Sequence, residues 1–241
     1  MSDFTPIRLS AMHHIHVRCG ATFVEKDGWQ QPAFYNLLED ELSIIQNSVG
    51  ICDVSPTRKL LIQGEDINSY LTNTSLGIEQ TSIGNVTRFN RNNEVDTESF
   101  SSCCRLAENE ILILSPPDCS TQVLTFLEEP VNQCAHIVDV TSGLSGIKII
   151  GPKAQSLLST VTDFDLTSKR FIDMSCAQVN LLGIHNFLLR IDIGSMRSYE
   201  IYFAREFGQY LWESLERYGK TINVAPIGIN AINNLKINQH A

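Results

Sequence analysis

Three histidines close to the start of the chain are the first residues that could do chemistry, as metal ligands. On a strand, His14 and His16 would point to the same face and His13 to the other. A metal site needs further ligands at suitable spacing, and no acidic residue or additional histidine lies nearby in the sequence. We therefore predict no metal site, and a packing or hydrogen-bonding role for His16.

The seven cysteines are a second group of reactive side chains. They are scattered along the chain without a C-x-x-C pair, which argues against a zinc site. Cys103 and Cys104 are adjacent, so on a strand only one of them can face a given pocket. We predict buried free thiols, with a nucleophilic cysteine as the alternative.

The stretch RIDIGSMRSYEIY, residues 190–202, has the pattern of a strand, a turn and a second strand. Ile191 and Ile193 alternate with polar residues before the turn, and Ile201 resumes the alternation after it. We therefore predict a β-hairpin with its turn at residues 195–198.

Composition limits the kinds of protein that this chain can be. Of its 241 residues, 43% are hydrophobic and 19% are charged, and no apolar run reaches the about 18 residues of a membrane helix. The N-terminus lacks the pattern of a secretory signal, so we expect a soluble, cytoplasmic protein. The net charge of −9, with dispersed basic residues, argues against nucleic acid as a partner.

Strand patterns and helix patterns follow one another along the chain. Strands are predicted at 51–54, 59–64, 111–114, 136–141, 146–151, 178–182, 186–192 and 200–203. Helices are predicted at 33–49 with Gly50 as the stop, and at 64–73, 119–129, 152–161, 204–219 and 228–237.

Two segments, IQGEDINSYLTN and IIGPKAQSLLST, share the order strand, glycine, helix. This repetition predicts an α+β protein of two similar modules, with antiparallel sheets and helices packed on one side of each. We place the first module at residues 1–50 and 136–220, and the second at 51–135 and 221–241.

A series of short motifs runs in order along nearly the whole chain. They are His16 with Gly20, Gly28-Trp29 with Pro32, Gly50-Ile51-Cys52-Asp53-Val54-Ser55, Leu71-Thr72-Asn73, Gly151-Pro152-Lys153-Ala154, Tyr199-Glu200-Ile201-Tyr202 and Pro226-Ile227-Gly228. Together they resemble the aminomethyltransferase family, the T-protein of the glycine cleavage system and its relatives. The resemblance implies a folate-binding fold, tetrahydrofolate as the cofactor and transfer of methyl or aminomethyl groups.

The resemblance also implies where a cofactor would bind. The family's turn ends in an acid near the pterin ring, and Tyr199 and Glu200 match the end of that turn, although Glu200 could equally be a satisfied acid at a strand start. Arg88 and Arg197 are new cations at places that face the cavity in relatives. They are either surface residues or, as we hypothesise, a fork that grips a different anion in a remodelled cavity.

Other positions depart from the family pattern. Ile232 stands where the family has an arginine that reaches toward the folate site. The family's catalytic carboxylate falls on Phe100-Ser101, so Asp96 or Glu98 would have to replace it after a shift of the hairpin. The sequence leaves residues 90–102 open between a hairpin, a lid and a disordered loop. The family's C-terminal barrel has no counterpart here, so we expect part of the cavity wall to be missing unless another chain supplies it.

Three functions agree with these observations, and each places a small-molecule ligand in a central cavity. The first is tetrahydrofolate-dependent one-carbon transfer with eroded catalytic residues. The second is a noncatalytic partner subunit, like the small chain of heterotetrameric sarcosine oxidase, with a protein partner or a second copy over the missing lobe. The third is a relative recruited to a different small-molecule biosynthetic reaction without folate.

Overall fold

The computed structural model describes residues 7–73, 77–89, 100–117 and 135–237. The strands in these ranges are β1 (Arg8–Leu9), β2 (Thr22–Lys26), β3 (Trp29–Phe34), β4 (Val49–Asp53), β5 (Arg58–Gly64), β6 (Val86–Phe89), β7 (Ser101–Ala107), β8 (Glu110–Ser115), β9 (Ala135–Asp139), β10 (Leu144–Ile150), β11 (Ser175–Leu181), β12 (Ile184–Arg190), β13 (Ser198–Ala204) and β14 (Val224–Pro226). The helices are α1 (His13–Arg18), α2 (Leu38–Asn47), α3 (Ile67–Asn73), α4 (Ala154–Leu158), α5 (Gly208–Tyr218) and α6 (Ile229–Ile237), with short 3₁₀ turns at Arg205–Phe207 and Lys220–Ile222. The helix predicted at 119–129 lies outside the described residues.

The strands form three sheets. The largest has the order β11-β12-β13-β10-β4-β14, the second has the order β6-β7-β8-β5-β9, and a small sheet has the order β1-β3-β2. Neighbours in the two large sheets are antiparallel, except that β14 runs parallel to β4. This confirms the predicted α+β fold with antiparallel sheets.

The hydrophobic core has three parts, which follow from the two-residue period of the strands. One face of the six-stranded sheet packs against α1, α4 and α5. Its other face meets β7 and β8 of the five-stranded sheet, with α2 and α6. The outer face of the five-stranded sheet is covered by α3. The two large sheets therefore face each other, and the space between them can hold a site.

The predicted helix at 33–49 begins later than expected. Residues 29–34 form β3, which pairs with both β1 and β2, and α2 starts only at Leu38. Gly50 is not a helix stop but a residue of β4, where an added Cβ would lie 2.5 Å from the Ile227 side chain. The pairing of β3 with β1 and β2 therefore decides the conformation of residues 33–34, although their apolar spacing is typical of a helix.

The histidines lie on a helix, so the assumption of a strand was wrong. His13 begins α1, and only His16 of the three is fully buried. Within the described ranges, no group of His, Cys, Asp and Glu comes together in a way that could hold a metal ion.

In the same ranges, no helix is both long and apolar enough to cross a membrane.

Two features of the six-stranded sheet can be compared with the predicted module boundaries. The boundary after residue 50 falls inside β4, and β4 belongs as a whole to the six-stranded sheet. β14, which was assigned to the second module, pairs with β4 in that sheet. The division of the chain into modules stays a prediction. The repeated order of strand, glycine and helix is present, as β5 with α3 and as β10 with α4.

Candidate functional site: a charged cavity between the sheets

A cavity of about 380 Å³ lies between the two large sheets, beside the small sheet and α6. Its wall combines apolar side chains such as Val54, Leu114 and Ile191 with charged ones. The charged lining residues are Lys26, Arg88, Lys148, Asp192, Glu200 and Lys236. A concave, partly apolar space with a few convergent polar groups is the usual form of a small-molecule site.

Glu200 and Lys148 form an ion pair on the cavity wall. They are directly opposite each other on β13 and β10, and Lys148 Nζ lies 2.7 Å from Glu200 Oε1. The Lys148 side chain is 7% exposed and that of Glu200 is 14% exposed. Burial acts to raise the pKa of Glu200, but Lys148 and the Tyr202 hydroxyl lower it below its usual value. The carboxylate is therefore ionised at neutral pH.

Tyr202 supports Glu200 from the same strand face. Its hydroxyl donates to Glu200 Oε2 at 2.6 Å, since residues two apart on a strand share a face. Gly146 makes room for the ring, because a Cβ there would lie 2.7 Å from it. Burial and the neighbouring Glu200 raise the pKa of Tyr202, so it stays protonated and keeps donating.

Lys59 is a buried lysine behind this wall. Its ammonium donates to the carbonyl oxygens of Ser55, Thr57 and Thr141 at 2.7, 2.8 and 3.3 Å and lies 5.6 Å from the Tyr202 ring centroid. Burial is the main cause that lowers the pKa of Lys59 to about 7. The three bonds fix the loop that contributes Thr57 to the cavity.

Asp192 holds the hairpin turn and lines the cavity. Its carboxylate pairs with Arg190 at 2.7 Å and accepts the Ser198 N–H at 3.1 Å. Ile193 and Met196 exchange backbone hydrogen bonds across the turn, so the predicted hairpin is present with a tighter turn at residues 194–195. Both carboxylates among the described lining residues are thus ion-paired.

The structure brings two of the four predicted cofactor-binding residues to the cavity and leaves two elsewhere. Glu200 and Arg88 line it. Tyr199 faces the opposite side of β13 and stacks on Phe171 at 6.4 Å, because neighbouring strand residues alternate. Arg197 turns away from the cavity.

The contacts of Arg197 explain its position. Its guanidinium donates to the side chains of Gln155 and Ser168, which lie on and near α4 rather than at the cavity. The expected fork of Arg88 and Arg197 is therefore not formed. The predicted catalytic candidates, Asp96 and Glu98, lie outside the described residues and stay predictions.

Sequence reasoning missed Lys148 and Lys236 as site residues. Lys148 lies in the apolar run GIKIIG, and a lysine inside a buried strand usually has a partner or a function. The sequence alone could therefore have indicated Lys148 as a candidate. Its pairing with Glu200 could not be predicted, because only the sheet register brings these distant positions together.

A buried hydrogen-bond network supports the cavity from beneath β4. Asp53 accepts from His16 Nε2 at 2.8 Å and from the Ser55 N–H at 2.8 Å, and the Tyr35 hydroxyl lies 2.8 Å from His16 Nδ1. The Asp53 carbonyl oxygen accepts from Gln31 Nε2, and Gln31 lines the cavity. His16 thus has the hydrogen-bonding role that was predicted.

Glu41 joins the start of α2 to the start of α6. This fully buried carboxylate accepts the N–H groups of Tyr35 and Asn36 on Oε1 and that of Gly228 on Oε2. Glu41 therefore holds the N-terminal end of α6 in place, and with it the side of the helix that lines the cavity.

The described cysteines are free, and four of the five are buried. Cys103 and Cys104 face different core clusters, as the alternation along a strand predicted. Burial raises the pKa of Cys103 to about 12 and that of Cys104 well above its usual value. These thiols are poor nucleophiles.

Fold and cavity together define an α+β protein of the T-protein folate-binding type, with two facing sheets around a ligand-sized space. The chain belongs to the GCVT N-terminal domain family, whose model matches residues 12–241. The structure is similar to the glycine cleavage system aminomethyltransferase T of Bartonella henselae, with a TM-score of 0.82 and 18% identity over 98% of this chain and 63% of that chain.

Two sarcosine oxidase chains are also similar to this chain. The sequence is 24% identical to sarcosine oxidase subunit alpha of Rhizobium meliloti (strain 1021), over 97% of this chain and 26% of that protein. A chain of heterotetrameric sarcosine oxidase from Corynebacterium sp. U-96, in complex with pyrrole 2-carboxylate, matches with a TM-score of 0.65 and 18% identity, over 90% of this chain and 97% of that chain. The chain spans about a quarter of the first protein and nearly all of the second.

Proposed function

We propose that this chain binds a reduced folate in the cavity and serves one-carbon transfer. The observation that carries the proposal is the position of Glu200 on the cavity wall, since the resemblance to the aminomethyltransferase family implies a pterin-binding acid at this residue. Membership of the GCVT N-terminal domain family supports it.

The residues present fit such a ligand. Glu200 uses one acceptor site on each oxygen, for Lys148 and for Tyr202, and an ionised carboxylate has about four. Two N–H donors of a pterin can therefore still bind it. Ile191 and Ile232 offer apolar surface to a flat ring. Tetrahydrofolate, when bound, supplies the ring nitrogen that carries the one-carbon unit.

The chain's own contribution is to orient the ligand and to exclude water from it. Asp192 and Glu200 are the carboxylates among the described lining residues, and each is already ion-paired. We therefore assign proton transfer to neither of them. Asp96 and Glu98 remain the proposed sources of a carboxylate for that step.

Glu200→Gln should weaken binding of tetrahydrofolate about tenfold or more, because it removes the charge from two hydrogen bonds to the ligand. Anaerobic calorimetric titration measures the effect, with Glu39→Gln on the exposed first turn of α2 as the matched control. Equal affinity in both variants would contradict the role of Glu200, and an absence of binding to the unaltered chain would favour a reaction without folate.

Loss of Glu200 also leaves Lys148 buried without its partner, which by itself can disturb the wall. The double variant Lys148→Met with Glu200→Gln separates the two effects, because it removes the unpaired charge. We expect the double variant to regain stability in urea denaturation but not affinity for tetrahydrofolate. If affinity returned, the carboxylate would not be a ligand of the pterin.

A second candidate is a partner subunit without catalysis of its own. The observation that favours it is the match to 97% of one chain of a heterotetrameric sarcosine oxidase, because that chain consists almost wholly of this fold. A tagged copy purified from its own cells should then carry a flavin-containing amine oxidase at fixed stoichiometry, seen by flavin absorbance and light scattering. A monomer without flavin would contradict this candidate.

A further inference from the structure

Positive and negative charges around the cavity do not balance. Among the described lining residues, four are cationic and two are acidic. Each acid has a basic partner of its own, Arg190 for Asp192 and Lys148 for Glu200. Lys26 has an interaction of its own, so the charges that no described carboxylate of the cavity wall offsets are those of Arg88 and Lys236. This local excess of positive charge occurs in a chain with a net charge of −9.

Lys236 lies in surroundings that disfavour its charge. The charged and titratable groups that act on it are Lys148 on β10, Arg88 on β6, Cys52 on β4 and Glu200 on β13. Of these, only Glu200 is an ionised acid, and its Oε1 already lies 2.7 Å from Lys148. Burial and then Lys148 lower the pKa of Lys236 to about 8. A bound anion would offset the repulsion from Lys148 and Arg88 and so favour the charged form of Lys236.

Neutral hydrogen-bond donors accompany Lys236 on α6. Asn230, Asn233 and Lys236 recur every three residues and all line the cavity, so they form one row along the helix. Side-chain amides and an ammonium donate to oxyanions. The start of this row is fixed by Glu41, which holds the Gly228 N–H.

We propose that the cavity binds a small dianion, a dicarboxylate or a phosphate ester, between Lys236, Arg88 and Asn233. Arg88 and Lys236, whose charges no acid of the described cavity wall offsets, match two negative charges, and oxygens of either ligand can accept from the amide of Asn233. The proposal rests on the proposed function only in that both use this cavity. The dianion would be a second substrate or the anionic part of one.

The test is calorimetric titration of the full chain with inorganic phosphate, succinate and acetate, in low salt at neutral pH. We expect phosphate or succinate to bind about tenfold more tightly than acetate, since only these probes can carry two charges. A preference for phosphate would indicate a phosphate ester, and a preference for succinate a dicarboxylate. Equal, weak binding of all three probes would overturn the proposal.

Variants locate the binding within the molecule. Lys236→Met and Arg88→Met should each weaken the preferred dianion about tenfold, whereas Lys169→Met, which removes an exposed lysine, should not change it. If Lys169→Met weakened binding as much as Lys236→Met, the attraction would be diffuse and the proposal wrong. Thermal unfolding identifies any variant that has lost its fold, and Lys236→Gln then replaces Lys236→Met.

The pH dependence gives an independent readout. Lys236 loses its proton as the pH rises through about 8, so the affinity for succinate, which stays doubly charged between pH 7 and pH 9, should fall over that range. An unchanged affinity would exclude Lys236 as the binding cation. Tetrahydrofolate titration of the same samples keeps the two proposals apart: dianion binding without folate binding would refute only the folate site, and the reverse would refute only the dianion site.

Discussion

Asp53→Ala should lower the free energy of unfolding by about 2–6 kcal/mol, because it takes the carboxylate acceptor from the His16 ring N–H and from a second buried donor, each of which then costs about 1–3 kcal/mol. Asp53 and His16 are each 1% exposed, and the Ser55 N–H would also lose its acceptor. Urea denaturation measures the loss. The matched control is Asp163→Ala at an exposed position, for which we expect a change within about 0.5 kcal/mol.

The contribution of Asp53 to the free energy of unfolding should depend on pH, and it should decrease in acid. Burial acts to raise the pKa of Asp53, but hydrogen bonds from His16, Ser10 and Ser55 lower it below its usual value. A carboxyl group with a lowered folded pKa stabilises the protein above its unfolded pKa of about 3.9 and loses that contribution as the pH falls through the folded pKa. The difference between the unaltered chain and Asp53→Ala should therefore shrink below about pH 4. A difference that stayed constant to pH 2 would contradict an ionised Asp53 in the folded chain.

Gly228→Ala should destabilise the chain by about 3 kcal/mol or more, since the new methyl group meets backbone that cannot move aside. An added Cβ would lie 2.5 Å from Phe34 Cα and closer still to the carbonyl oxygen of Ala33. Helix α6 would be displaced, and with it the row of donors that ends in Lys236. We therefore expect loss of ligand binding together with the loss of stability, measured by titration and urea denaturation.

Gly143→Ala is the control for this substitution. Its added Cβ would come no closer than 3.6 Å, to the carbonyl oxygen of Val140, so a change within about 1 kcal/mol is expected. If Gly228→Ala were as mild as Gly143→Ala, the contact between β3 and α6 would be looser than described, and α6 would not depend on that contact.

Much of the fold could be predicted because local pattern and tertiary packing agree there. The apolar spacing around Leu211 and Leu215 predicts α5, and both residues pack into the core against the six-stranded sheet. The exceptions are segments where pairing decides the conformation. Residues 33–34 follow a helical pattern in the sequence, yet the small sheet extends them as part of β3.

The site could be predicted less completely than the fold. Glu200 was found through a motif, and its neighbour Tyr199 was assigned to the site with it, although strand alternation sends the two to opposite faces. Arg88 was assigned to the site as well, and it lines the cavity. Lys236 was missed because its environment is made by four different strands, and a local pattern carries no information about such surroundings.

The ion pair between Lys148 and Glu200 has a consequence for the history of this chain. Replacing either partner alone leaves a charge buried in the sheet, at a cost of about 3–5 kcal/mol, whereas replacing both by apolar residues can be neutral. Such a pair restricts evolutionary change, because a single substitution at either position lowers the stability. A lineage that lost its ligand would keep the pair for stability, and only a coupled change at both positions would release it.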